Sequence, residues 1–67
     1  MSREDVKELI EQYFEDGFEF IDISTNDNKT IFIDTATRIV FNFRVLHVES
    51  DEFNLYIPYE NIEYITI

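Results

Sequence analysis

The sequence predicts a mostly β domain, in which one N-terminal helix is followed by a five-stranded, strongly bent antiparallel barrel. Three observations lead there. Apolar residues at spacings of three and four run up to Gly17, the only glycine. From Phe18 onward the apolar residues alternate with polar ones at the period of strands. The strand-like runs are joined by links of a few residues, which suit antiparallel hairpins and leave no room for crossover helices. The 67 residues contain no repeat and no Gly/Ser/Pro-rich linker, so residues 1–67 are read as one domain.

The helix is predicted over about residues 3–15. Ser2 is placed to cap it, with Asp5 at the third position of a capping-box-like start. Glu4 and Asp5 lie where the helix dipole favours negative charge. Val6, Leu9, Ile10, Tyr13 and Phe14 form one apolar stripe, and Glu4, Glu8, Glu11, Gln12 and Glu15 take the rest of the circumference. Gly17 stands where a C-terminal cap belongs.

The first strand, about 18–24, places Phe18 and Phe20 on one face and Ile21 and Ile23 on the other, an inward-face switch that predicts a bulge or bend. Thr25-Asn26-Asp27-Asn28-Lys29 is a run of turn formers, and the second strand follows at about 30–34 to make a hairpin. Thr35-Ala36-Thr37 leads into the longest strand, about 38–48, with Ile39, Phe41, Phe43 and Val45 on one side and Val40 and Leu46 on the other. A polar turn, Glu49 to Glu52, precedes the fourth strand at about 53–57, where Phe53, Leu55 and Ile57 point inward. Pro58 cannot donate to a ladder and ends that strand. Tyr59-Glu60-Asn61 is a tight corner, and the fifth strand runs over about 62–67. Five strands in so short a chain, one of them long and two-faced, fit a bent barrel better than a flat sheet.

Composition constrains function mainly by exclusion. Fifteen acidic residues against five basic ones leave a formal charge of -10, which disfavours a broad phosphate-binding surface and favours basic partners. With no cysteine and one histidine, His47, thiolate metal sites are excluded. The start Met-Ser-Arg-Glu-Asp has no apolar stretch behind it, and no apolar run approaches the length of a bilayer span, so a cytoplasmic protein without membrane contact is expected. No nucleophile pair, metal-ligand cluster or phosphate loop is written in the chain. Neither enzymatic activity nor a cofactor nor a metal is expected. A short chain without disulfides makes self-association a natural source of added stability.

The order of elements and the segment Ile57-Pro58-Tyr59-Glu60-Asn61-Ile62-Glu63-Tyr64-Ile65 resemble the Sm-like family of small barrels. Ile57, Asn61, Ile62 and Ile65 match that family's second motif, while Pro58-Tyr59 stands where many members carry an Arg-Gly pair that contacts RNA. Asp51-Glu52-Phe53-Asn54-Leu55 is similar to the end of the first motif but lies too close to the second to admit the strand between them. Other SH3-like barrels share the ending, and bacterial PH-like domains share the Ile-Pro-Tyr-x-x-Ile step, though in longer chains with the helix last. What the Sm-like resemblance implies is a homo-oligomeric ring whose last two strands pair between subunits, with RNA as a candidate ligand.

On that reading Tyr56, Ile57, Tyr59, Ile62, Tyr64 and Ile65 are the candidate oligomer interface, and Arg38, Arg44 and Asn61 are the candidate RNA contacts. The competing account of the two arginines is cross-strand pairing with Asp22, Asp34 or Glu63. Asp27 and its asparagines are read as a turn rather than a cation site, and His47, with Glu49 two residues on, as structural rather than catalytic. The alternative function is a small acidic protein that mimics nucleic acid or covers a basic surface of a partner, the helix carboxylates Glu4, Glu8, Glu11 and Glu15 serving as its face.

Overall fold

A computed structural model describes all of residues 1–67. Its helix, α1, spans Arg3–Glu15. The Ser2 hydroxyl accepts from the Asp5 N–H at 3.1 Å, as the capping pattern predicts. At the other end Gly17 adopts φ +93°. Its N–H donates to Phe14 O at 3.1 Å, and the next N–H, of Phe18, donates to Tyr13 O at 3.1 Å. This is the Schellman arrangement, completed by an edge-to-face contact of the Tyr13 and Phe18 rings at 6.0 Å. Phe18 therefore belongs to the helix terminus. The predicted face switch in the first strand does not occur, because that strand starts two residues later.

Six strands follow, in two antiparallel three-stranded sheets. The first sheet has the order β2-β1-β6, with β1 Phe20–Thr25, β2 Thr30–Asp34 and β6 Ile62–Thr66. The second has the order β3-β4-β5, with β3 Arg38–Phe41, β4 Val45–Glu49 and β5 Asn54–Pro58. The sheets are not closed into a barrel, and the five-stranded count is corrected to six. A turn at Asn42–Arg44 splits the long strand predicted over 38–48, and Phe41 pairs with Leu46 across it. The inward alternation is reset there: Ile39 and Phe41 pack on the core, Phe43 is 84% exposed at the turn, and Leu46 and Val48 are buried.

The chain crosses from one sheet to the other at Thr35–Thr37. Asp34 organises this corner, accepting from Ala36 N–H at 2.9 Å and from the Thr37 hydroxyl at 3.2 Å. The Thr25–Lys29 turn forms as predicted, with Asn28 at φ 65° and the Thr25 N–H bonded to Lys29 O. The bulge in the first sheet lies between Ser24 and Thr25 against β6, and not at the start of β1. A 3-10 turn, Tyr59–Asn61, joins β5 to β6.

Between the sheets lies one core. Ile21, Ile23 and Ile33 come from β1 and β2, Leu46, Val48 and Ile57 from β4 and β5, and Ile62 and Ile65 from β6. Val6 and Ile10 of α1 enter the same cluster, and α1 packs against β6. The helix start is pinned by the Arg3 guanidinium, which donates to the carbonyls of Phe41 and Asn42 at 3.1 to 3.2 Å. No helix is long and apolar enough to cross a membrane.

Candidate functional site

The corner that carries the family resemblance is built from β5, the 3-10 turn and β6. Pro58 lacks an N–H and holds an extended φ of -58°, so β5 ends there and the chain turns through Tyr59–Asn61. Tyr59 turns its ring into the core, and its hydroxyl donates to Asn42 O at 2.7 Å. Burial raises the Tyr59 phenol above its ordinary value, a tendency that the Arg3 guanidinium opposes. Asn61 O accepts from Asn26 N–H at 2.9 Å, which ties the corner to the β1–β2 turn.

The six candidate interface residues divide in two. Ile57, Tyr59, Ile62 and Ile65 are buried in the chain's own core; Ile62 and Ile65, three residues apart, both face inward because the ladder shifts register between them, Tyr64 pairing with Ser24 and Ile62 with Thr25. Tyr56 and Tyr64 face outward, 61% and 54% exposed. Their strands are also sheet edges: β5 pairs only with β4, and β6 only with β1. The Met1 amino group takes the Ile62 carbonyl at 3.0 Å. No backbone hydrogen bond to another strand satisfies the outer edge of β5 or of β6.

Tyr56 belongs to a small ordered cluster on the outer face of the second sheet. His47 is its cross-strand partner, and the two rings stack with centroids 4.2 Å apart and planes 6° from parallel. The His47 Nε2 meets Asn54 Oδ1 at 2.6 Å. Glu49, which shares this face, pairs instead with Arg38 at 3.6 Å. The contacts of the His47 ring are thus the Tyr56 ring and the Asn54 side-chain oxygen.

Arg38, Arg44 and Asn61 are not brought together. Arg38 opens β3 and Arg44 lies in the turn at the far end of the same hairpin, its guanidinium 6.0 Å from the Phe43 ring. Of the remaining bases, Arg3 is committed to backbone carbonyls and Lys29 pairs with Asp27 at 3.6 Å. The cross-strand account of Arg38 holds with a different acid from those expected, Glu49 directly opposite in the β3–β4 register. Asp27 is held as a turn residue: a hydrogen bond from the Thr25 hydroxyl, with Lys29 nearby, lowers its carboxyl below the usual range. No group of three His, Cys, Asp or Glu side chains converges on one point. The helix carboxylates Glu4, Glu8, Glu11 and Glu15 are all exposed.

A further feature was not singled out from the sequence. A groove of about 640 Å³ opens where the chain passes between the sheets, lined by residues that include Phe20, Phe32 and Phe53 and the acidic Asp34, Glu49, Asp51 and Glu52. Phe20 and Phe32 are 67% and 68% exposed on the outer face of the first sheet. Each such exposed ring forgoes about 1.5–3 kcal/mol of burial. Strand parity contained the signal, since both phenylalanines sit out of phase with the inward Ile21, Ile23 and Ile33. No family model, curated protein or solved structure matches the chain.

Proposed function

We propose that this protein is a non-enzymatic assembly module that forms a homo-oligomeric ring by pairing β5 of one copy with β6 of the next. The observation that carries the reading is that two of the four sheet edges, β5 and β6, are consecutive strands. Both strands are five residues long, both end a sheet, and a single 3-10 turn joins them. An unpaired edge is a template for another strand; of the usual protections Pro58 closes β5 and a bulge interrupts the β1–β6 ladder, but charged side chains are nearly absent. β5 carries no charged residue and β6 only Glu63. Tyr56 and Tyr64 supply outward side chains of the type enriched at interfaces. The Sm-like resemblance implies the same arrangement, a short helical turn between two strands that meet across subunits.

Each copy is compact before it assembles. Its surface of 4572 Å² matches the roughly 4,500 Å² expected of a folded monomer of this mass. Assembly then rests on the edges rather than on completing a core. RNA enters this reading only by repetition, since a ring would present Arg38, Arg44 and Asn61 once per copy. Sedimentation equilibrium tests the ring directly: a closed oligomer of fixed size supports it, and a monomer of 8.1 kDa at micromolar concentration overturns it. RNA binding that weakens as salt rises would add a ligand to the ring.

A second reading, an acidic protein that covers a basic surface of a partner, is favoured by the groove between the sheets. Its three phenylalanines and the acidic residues Asp51 and Glu52 are suited to cationic side chains. Retention of the protein by a cationic peptide, and its loss in high salt, tests that reading.

A further inference from the structure

We propose that the groove at the seam of the two sheets is a docking site for an arginine-bearing segment of a partner protein. The inference rests on the second reading above and gives it a surface and a chemical occupant. Phe20 pairs with Asp34 and Phe32 with Asp22, so the two phenylalanines are diagonal neighbours on one face of β1 and β2. They form one wall of the groove, and Phe53, from the β4–β5 loop, contributes to another. Asp51 and Glu52, both exposed, are the acidic residues of the lining whose side chains make no hydrogen bond or ion pair, whereas Asp34 is held by Ala36 and Thr37.

The combination selects arginine. A guanidinium is planar, weakly hydrated and able to stack on an aromatic face while its N–H groups pair bidentately with a carboxylate. A lysine ammonium pairs as a point charge and gains less from the rings. Glu49 of the lining is already engaged by Arg38 in a single contact at 3.6 Å, so it is not among the carboxylates that an incoming guanidinium would meet. A nucleic-acid strand is disfavoured by the charge of the lining and by the chain's net charge of -10. A second copy of this chain is a poor occupant as well. Of its five basic residues, Arg3, Lys29 and Arg38 are engaged internally, and Arg44, beside Phe43, is the one arginine left to offer.

Fluorescence anisotropy with labelled hexa-arginine and hexa-lysine peptides, at about 0.15 M salt to screen diffuse attraction, tests the site on the intact chain. Hexa-arginine is expected to bind at least about fivefold more tightly than hexa-lysine, and F20A/F32A to weaken hexa-arginine about tenfold. D51N/E52Q is expected to weaken it by a similar factor, whereas E8Q/E11Q, which removes the same charge from the helix face, changes it less than about twofold. All six positions are exposed, and a thermal melt on each variant verifies the fold. Equal loss in the groove and helix variants, or no effect of F20A/F32A, would mean attraction by net charge alone; the groove proposal then fails while the acidic reading survives. Absence of binding to either peptide overturns both.

Discussion

The Tyr59 hydroxyl donates to the Asn42 carbonyl at 2.7 Å, and the Tyr59 N–H reaches Arg44 O at 3.4 Å. The corner between the last two strands thereby holds the turn between β3 and β4. Arg3 holds the same turn from the helix side, through the carbonyls of Phe41 and Asn42. A turn without glycine or proline is thus secured by residues far away in the chain.

Tyr59→Phe removes one of these ties. The Asn42 carbonyl keeps Arg3 as a donor, so the expected cost is about 1 kcal/mol rather than that of an orphaned buried group. The substitution also alters the alkaline limit of stability. Burial raises the Tyr59 pKa in the folded chain, so its contribution is complete below the unfolded value and is lost as pH rises through the folded one. Urea melts near neutral pH and above pH ~10 should show the wild type losing more stability than the variant across that interval.

Phe43 and Leu46 provide a direct test of the β3–β4 turn. With Phe43 exposed and Leu46 fully buried, Leu46→Ala is expected to cost about 2–5 kcal/mol and Phe43→Ala less than about 0.5 kcal/mol. An uninterrupted strand over 38–48 with Phe43 facing inward predicts a large cost at both positions. Chemical denaturation of the two variants separates these outcomes.

Tyr56→Lys and Tyr64→Lys place a charge on the two edges proposed to pair. Both side chains face outward, so each variant is expected to fold with a melting temperature within a few degrees of the parent. In sedimentation each should shift the protein from ring to monomer, because lysine on an edge opposes strand pairing. A ring that survives both substitutions would exclude this pair of edges as its interface.

Asp27 sets a small acid-side dependence. Its pKa is depressed by the Thr25 hydroxyl and, less strongly, by Lys29. The stabilisation is therefore present above the unfolded value and lost as pH falls through the folded one. Asp27→Asn should lower the melting temperature at neutral pH, and the gap to wild type should close in strong acid. A gap independent of pH would rule out the carboxylate as its origin.

The helix was legible because its signals are local. Ser2, the apolar stripe and Gly17 lie within one short segment, and the cap geometry at Gly17 follows from glycine's access to positive φ. The Thr25–Lys29 turn and the Pro58 corner were legible for the same reason. Phe18 misled because it continues a strand-like alternation with Phe20, yet the Schellman bonds take its N–H and its ring packs on Tyr13. The Asn42–Arg44 turn was not legible because alternation runs on through Phe43 and Val45.

By itself, then, the amino-acid sequence determined a helix followed by short antiparallel strands, the turn at Thr25–Lys29, and the corner at Pro58. Periodicity, capping chemistry and a missing N–H act over a few residues, and they can be read without partners. Only the tertiary structure decided that there are six strands in two open sheets, that Ile57, Tyr59, Ile62 and Ile65 belong to the core, and that Phe20, Phe32 and Phe53 share a groove. Those outcomes depend on contacts between residues distant in the chain, such as those of Arg3 and Tyr59 with the Asn42–Arg44 turn, which periodicity does not encode.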